Sequence, residues 1–469
     1  MKKQEKDIIV IGSGPGGYAM AFYLADHGKN VTLIEKEDIG GVCLNRGCIP
    51  SKALLNIAAI IDKTKKTDAQ GLSFKDPKID INKMRDWKNN VIKKLQSGIE
   101  ALAKARKVEI IKGTAIFDSS NTLRVETSKG QQYYTFQKAI IATGSTPLMP
   151  ASMDLGNPRI MTSTEALEIE DIPKELLVIG GGYIGMELSS VYASLGSKVT
   201  IVEAMDDILM GADADLVRVF KKYVSKKIDT FYINHQVKKL ATKKKKIHVV
   251  MEDKDGNKIE KDFDKVLVSV GRTPNSNNIG LENTNVTVDD KHCIKINAQC
   301  QTEDPNIYAI GDVAGGIQLA HKATKEAKIA SEAILGTPSL TMSDHVIPAV
   351  VFTDPEIAWV GITEKEAKEQ NIKIKTSKFP WSASGRALTL DRTEGLTKII
   401  SDPDTGRILG IGIVGDHAGD LISEAALAIQ TGLTVTDLAE TIHPHPTLSE
   451  SIMESAEHAL GFCTHLIKH

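Results

Sequence analysis

"IIVIGSGPGGYAMAFYLADHGKNVTLIE", residues 8–35, reads as one mechanical unit. Ile8 to Ile11 make a buried strand, Gly12, Gly14 and Gly17 set a G-x-G-x-x-G turn that opens a helix, and a second apolar strand closes on Glu35. In such a turn the first glycine allows the tight bend, the second lets a pyrophosphate approach the backbone, and the third lets the helix lie close on the strand. The helix start offers free N–H groups and partial positive charge to phosphates. The terminal acid accepts hydrogen bonds from a ribose diol.

One such spacing is a weak signal, but here it occurs twice. Residues 176–203, "LLVIGGGYIGMELSSVYASLGSKVTIVE", repeat the plan at an offset of 168, so that Gly180, Gly182, Gly185, Gly196, Val199 and Glu203 fall on Gly12, Gly14, Gly17, Gly28, Val31 and Glu35. Each copy ends in an acid 18 positions after its third glycine. Two dinucleotide-binding units are therefore expected. A shorter echo joins them: "KAIIATGSTP" (138–147) and "KVLVSVGRTP" (265–274) match at Lys, Gly, Thr and Pro, 127 residues apart. Each reads as a buried strand running into a ligand-facing glycine turn, Thr143-Gly144 in one and Gly271 in the other, which sets unit boundaries near 147 and 272. Residues 53–108, rich in Lys and helix formers, read as a solvated helical insertion.

The totals agree with an α/β chain of several domains. There are 469 residues, 37 glycines and only 5% aromatics, which favours glycine turns over an all-β sandwich. Net charge is -2, which gives no general attraction to nucleic acid or anionic membrane. The basic run Lys243 to Lys246 reads as a solvated loop before an Asp255-Gly256 turn. No apolar stretch approaches the roughly 20 residues of a membrane helix, and the run Ile8 to Ile11 is too short for a signal-peptide core, so a cytoplasmic protein without membrane insertion is expected.

Five cysteines, an odd number, make no secreted disulfide framework. Two of them sit close together in "GGVCLNRGCIPSK", residues 40–52. Residues five apart on a regular helix differ by about 7.5 Å in rise, whereas a disulfide wants Cα atoms roughly 4.4–6.8 Å apart. A regular helix through both is excluded, and Gly40, Gly41 and Gly47 allow the irregular path a bridge would need. Cys48 falls near the N-terminus of the helix that Pro50 begins, where a thiolate is favoured. The pair reads as redox-active. With no second pair at zinc-site spacing, no metal site is expected.

Two sites for one cofactor would be redundant, so FAD and a nicotinamide nucleotide are expected. FAD goes to Gly12, Gly14 and Gly17, beside the cysteines that need its ring, and NAD to Gly180, Gly182 and Gly185. After Glu203 come Ala204, Met205, Asp206 and Asp207, carboxylates that disfavour a 2′-phosphate. "NIYAIGDVAGG" (306–316) is a strand ending in Gly311-Asp312, an acid suited either to the flavin's ribityl chain or to capping the next helix. "HPHPTLSE" (443–450) contains a capping box, Thr447 to Glu450, preceded by two histidines. A dithiol oxidoreductase needs a base near neutrality with a carboxylate to orient it.

Taken in order, "GGVCLNRGCIPSK", "GGGYIGMELS", "VGRTPN", "AIGDV", "PAVVFTDPEIAWVG" and "HPHPTLSE" closely resemble the pyridine nucleotide-disulfide oxidoreductases, over essentially the whole chain. The resemblance implies two Rossmann-like dinucleotide-binding domains, for FAD (1–147) and NAD (148–271), a central domain completing the flavin site (272–345), and a C-terminal α+β dimerisation domain (346–469) in a homodimer. It implies that Cys48 faces the flavin and Cys43 exchanges with substrate. His445 becomes the base and Glu450 its partner, acting across the dimer. Lys52 would lie near the flavin and pair with Glu187 beside nicotinamide. Ala115, Asp312 and Ala320 would contact FAD, and Val237 and Gly271 NAD. The implied reaction is oxidation of a dihydrolipoyl group on an acyltransferase or carrier protein of a 2-oxoacid dehydrogenase complex. Rivals are an NAD(P)H-dependent reductase of another disulfide or of a metal ion, and a non-catalytic flavoprotein scaffold. Arg46 departs from the usual apolar residue, with an exposed side chain expected, and Ala115 stands where some members have glycine.

Overall fold

The apolar run after Asp7 becomes the C-terminal half of the strand Lys3–Ile11. It is flanked in parallel by Val31–Glu35 on one side and Gly130–Ile141 on the other, with Ile8 opposite Val31 and Lys138. Successive side chains on a strand point to opposite faces. Ile8 and Val10 accordingly pack with Met20, Leu24 and Leu33 under the helix Pro15–Asp26, while Ile9 and Ile11 pack with Phe117, Leu123 and Val125 on the other face. Burial on both faces is why this stretch has no polar alternation.

The computed structural model describes residues 3–338 and 341–467, and the chain divides into two compact units. The first takes the described residues up to 53, 80–148 and 271–345; the second takes 54–79, 149–270 and those from 346 on. In the first unit the parallel ladder runs Glu109–Lys112, Val31–Glu35, Lys3–Ile11, Gly130–Ile141, Ile307–Ala309. On its side away from Lys3–Ile11, Gly130–Ile141 serves two neighbours: its last residues pair in parallel with Ile307–Ala309, and its first half pairs antiparallel with Thr122–Thr127. The two echoed motifs meet here, because Ser145–Pro147 and Arg272–Pro274 pair antiparallel with Thr146 opposite Thr273.

The expected solvated insertion is only partly that. The helix Ile81–Ala105 starts on Asp80, whose side chain accepts the Asn82 and Lys83 N–H groups, and it turns Ile92, Ile99 and Ala103 into the first unit's core. Its abundant lysines masked that helical stripe.

In the second unit five parallel strands run Thr230–Ile233, Lys198–Glu203, Glu175–Ile179, Lys265–Val268, Ile160–Met161. A three-stranded antiparallel sheet follows, and the lysine run forms the tip of its first hairpin, between His235–Lys243 and Lys246–Asp253. The C-terminal layer is an antiparallel five-stranded sheet packed with the helices Ala418–Thr431 and Glu450–Leu460. The fold class is thus α/β with two glycine-turn units and a C-terminal α+β portion. No helix among the described residues is long and apolar enough to cross a membrane.

Trp381 anchors that last layer. It is fully buried, and its indole N–H donates to Thr397 Oγ1 at 2.9 Å. Glycine at 395 and 415 leaves room for it, since a Cβ at these positions would lie 2.0 and 2.4 Å from ring atoms. Trp381→Ala is expected to cost about 3–5 kcal/mol, read as a lowered denaturant midpoint, and an unchanged midpoint would contradict this packing role.

Candidate functional site

The two glycine turns have the same steric logic. Gly12 (φ +99°) leaves its strand with its Cα beside the Ala142 carbonyl: a Cβ would fall 2.4 Å from that oxygen. At Gly17 a Cβ would fall 1.9 Å from the Gly12 oxygen. In the second copy Gly180 (φ +106°) meets the Ser269 oxygen at 2.4 Å, and Gly185 meets the Gly180 oxygen at 2.1 Å. The middle glycines differ: a Cβ on Gly14 or Gly182 would meet nothing within 4 Å. The fold itself requires the first and third glycines, whereas the second leaves open space in front of backbone at a helix start. Each turn thus fits a pyrophosphate.

The two strand-end acids also match. Glu35 accepts the Ser13 N–H (2.9 Å) and hydroxyl (2.6 Å) on Oε2, and the Glu37 N–H (2.8 Å) on Oε1. Glu203 accepts the Gly181 N–H (2.7 Å) on Oε2 and the Met205 N–H (2.8 Å) on Oε1. Each carboxylate straps its glycine turn to the end of the second strand, and its oxygens keep lone pairs for a further donor.

The cysteine segment lies directly on the first turn. The Gly40 N–H donates to the Ser13 carbonyl at 3.1 Å, and a Cβ on Gly41 would fall 2.6 Å from the Cα of Gly14. Cys43 rides on the short helix Gly41–Arg46, which stops at Gly47, and Cys48 opens the helix Cys48–Thr64. The Asn45 amide pins the bend, donating to the Ile39 and Gly41 carbonyls at 3.0 and 2.9 Å. Both cysteines are half-buried, and no disulfide joins them. The Cys43 thiol is held far above the usual range, first by its hydrogen bond with the Cys48 side chain, then by burial and by negative charge on Cys48, while the Cys48 backbone N–H and the charge of Lys52 act the other way. Arg46 turns outward to Glu37 and Asp38 and is 40% exposed.

Sequence reasoning missed Tyr18, on the first helix, whose hydroxyl is pushed up by burial and then by the charges of Cys43 and Cys48. It also missed how Asp312 is placed. Ser145 donates its hydroxyl to Asp312 Oδ2, and Arg272 donates to Ser145 Oγ (2.7 Å) and to the Ser145 carbonyl (2.6 Å). Asp312 does not cap the next helix; it lies in the turn Gly311–Ala314. That turn is held by the buried pair Lys322–Glu326 (2.8 Å), with Glu326 accepting the Gly311 N–H (2.7 Å) and Lys322 donating to the Gly315 carbonyl (2.6 Å). Burial pushes the Glu326 carboxyl up against the opposing pull of Lys322. The repeated -GSTP-/-GRTP- echo was the available signal, since Ser145 and Arg272 occupy equivalent positions in it.

Other expected residues fall as follows. Thr143 exchanges hydrogen bonds with Asn275 at 2.8 and 2.9 Å, and the Gly144 carbonyl accepts the Asn275 N–H at 2.9 Å. Ala115 is buried on the strand Thr114–Ser119, and Ala320 opens the helix Ala320–Leu335, which no side chain caps. Val237 sits at a bulge in the strand His235–Lys243, and Gly271 takes φ +142°. Glu187 is 3% exposed and accepts the Phe352 N–H at 3.1 Å.

At the C-terminus one carboxylate takes two jobs. Glu450 Oε1 meets His445 Nδ1 at 2.9 Å, and Oε2 accepts the Thr447 N–H at 2.7 Å. The capping box is thus half formed: the Thr447 hydroxyl donates to the Pro444 carbonyl, and the N-cap, Ser449, makes no side-chain cap. His445 is 76% exposed, and nearby Ile442 is 95% exposed. His443 instead is held by Glu424, Nε2 to Oε1 at 2.8 Å.

A fold with two glycine-turn units, a thiol pair against the first, and a C-terminal α+β layer is that of the pyridine nucleotide-disulphide oxidoreductases, and the chain belongs to this family: residues 6–327 match its main model and 347–456 its dimerisation domain. The family uses FAD and NAD(H). Similar curated proteins include the dihydrolipoyl dehydrogenases of Geobacillus stearothermophilus (45% identical over 99% of this chain and 98% of that one) and Staphylococcus aureus (44%, 98% of each). Similar solved structures are LpdA from Mycobacterium tuberculosis (TM-score 0.88, 26% identity, 97% of this chain and 99% of that one) and a Cu(II) complex of the HOCl-induced flavoprotein disulfide reductase RclA from Escherichia coli (0.87, 28%, 97% and 99%).

Two tests follow from this geometry. Gly182→Ala should leave the unfolding midpoint near wild type yet weaken NAD+ by about tenfold or more, ~1.4 kcal/mol, while Gly185→Ala should destabilise the protein itself; the reverse pattern would refute the division of roles. The Glu424 hydrogen bond raises the His443 pKa, with burial opposing it. Its stabilisation is therefore full below about pH 6.5 and fades as pH rises through the folded midpoint. An NMR titration should place His443 above the free-imidazole value and Glu424→Gln should bring it down.

Proposed function

We propose that this chain oxidises protein-bound dihydrolipoyl groups with NAD+, through the Cys43–Cys48 pair and FAD. The observation that carries the reading is the hydrogen-bonded cysteine pair lying on the first glycine turn, Gly41 against Gly14. Full-length relatives named for this activity, at 42–45% identity, supply the substrate class.

From the oxidised pair, one substrate sulfur attacks Cys43, forming a mixed disulfide and releasing Cys48 as thiolate. Cys48 opens a helix, where N–H groups favour that negative charge. His445 takes the attacking thiol's proton, with Glu450 fixing the ring through Nδ1 and leaving Nε2 for the transfer. The second substrate sulfur displaces Cys43, so lipoyl disulfide leaves and two electrons stay on the cysteines. Gly12, Gly14, Gly17, Glu35, Lys52, Ala115, Thr143, Gly144, Asp312 and Ala320 would hold FAD, which when bound would supply hydride chemistry between the cysteines and NAD+. Gly180, Gly182, Gly185, Glu187, Glu203, Val237 and Gly271 bind and orient the nicotinamide nucleotide. Lys52 offsets charge on the thiol pair.

The matched dimerisation domain and the bare Ile442 beside an exposed His445 support a homodimer in which His445 and Glu450 serve the other subunit's cysteines, and the reading places it in the cytoplasm. The lipoyl group then comes on the acyltransferase or carrier protein of a 2-oxoacid dehydrogenase complex. The four-part division at 147, 271 and 345 belongs to this reading.

Cys48→Ser is expected to retain FAD and lose dihydrolipoamide oxidation, and full turnover in that variant would overturn the proposal. His445→Gln should reduce lipoamide turnover by about 100-fold or more while leaving flavin reduction by NADH nearly intact; equal losses in both would remove it as the base. Faster NADH-dependent reduction of Cu(II) than of lipoamide would favour a metal reductase instead.

A further inference from the structure

The helix Glu450–Leu460 ends on Gly461, in the left-handed region at φ +86°, and the chain then turns back along the helix it has just left. This return brings Cys463 and His465 over Glu454 and Glu457, which lie three residues apart and so share one helix face. Glu454 is the hub: Oε2 accepts the Cys463 thiol at 2.9 Å and Oε1 contacts His465 Nδ1. One donor atom from each of Glu454, Glu457 and Cys463 lies within 4.8 Å of the others. The Glu454 side chain is only 6% exposed, which separates this group from a solvated acidic surface. Glu457 Oε2 is buried with no hydrogen-bond partner. A buried acceptor left unsatisfied is costly, and a second carboxylate beside it adds repulsion.

We propose that Glu454, Glu457, Cys463 and His465 form a binding site for one divalent cation of the zinc type. One thiolate sulfur, one imidazole nitrogen and two carboxylate oxygens are a zinc donor set; magnesium and calcium would want oxygen alone. Tetrahedral bonds of about 2.0–2.3 Å place neighbouring ligand atoms roughly 3.3–3.8 Å apart. The 2.9 Å Cys463–Glu454 contact must therefore open by less than an ångström. His465, 57% exposed, is free to swing for the same purpose. A bound ion gives Glu457 Oε2 its missing partner and ties the tail after Gly461 to the helix. The site takes no part in the dithiol relay, and a search for paired cysteines overlooks it because half its ligands come from one helix face.

The test is calorimetric titration of FAD-loaded protein with Zn2+ alone, with Cys43 and Cys48 held as the disulfide so that they cannot bind metal. One equivalent per chain is expected. Cys463→Ser, Glu457→Gln and His465→Asn should each weaken it by more than the about tenfold that losing an outer-sphere contact already costs, and Cys293→Ser should not. Exposed His465 can be replaced without risk to folding, which flavin content and thermal unfolding verify. With Co2+ the wild type should gain ligand-field absorption at wavelengths longer than oxidised flavin absorbs, and Cys463→Ser should lose its intensity. Absence of stoichiometric binding, equal affinity in Cys463→Ser and His465→Asn, or binding only after the active-site disulfide is reduced would each overturn the proposal.

Discussion

Backbone packed on backbone at Gly17 and Gly185 is the contact on which the rest of the molecule depends. In each copy the helix lies so close to the preceding strand that the first glycine's carbonyl occupies the place of a methyl group. This contact aims the start of the helix past the strand end and leaves the middle glycine facing open space. The strand-end acid then straps the turn from the other side. In the first copy the Cys43 segment rests on that same turn through Gly40 and Gly41, so the cysteine pair inherits its position from the glycine turn.

Charges are handled differently in the interior and at the rim. Lys322 and Glu326 sit together inside the first unit, fully engaged with the backbone of the Asp312 turn; breaking such a pair is costly even where forming it adds little net stability. His445 and Glu450 are arranged the other way, with an exposed imidazole fixed by a carboxylate whose second oxygen is already committed to the chain. One oxygen of Glu450 orients the exposed ring while the other ties the carboxylate to the chain.

The glycine spacings, the strand-end acids and the apolar runs were readable because each depends on residues close in sequence. The break between the cysteines was readable for the same reason, from helix rise and three glycines. The second job of Glu35 and Glu203 was hidden because the text of the chain does not separate a carboxylate that faces ligand from one that also braces its own loop. Ser145, Arg272, Lys322 and Tyr18 went unread because their partners are set by register between distant strands or by a turn laid on a helix, neither of which leaves a periodic trace. The helix Ile81–Ala105 was taken as surface since lysine stems outnumber its core-facing positions. The capping box was over-read: its Glu half formed and its Thr half went to Pro444.

The pairing of Ser145–Pro147 with Arg272–Pro274, continued by the Leu148 N–H to the Gly271 carbonyl at 2.9 Å, gives everything between these rungs the status of a graft. The chain departs and re-enters through adjacent rungs of a single ladder, so closure is settled at the root. Beyond that, lengthening a loop costs only about 0.6 kcal/mol per doubling. Such an arrangement lets the inserted segment vary in length while the ladder that brackets it keeps its register.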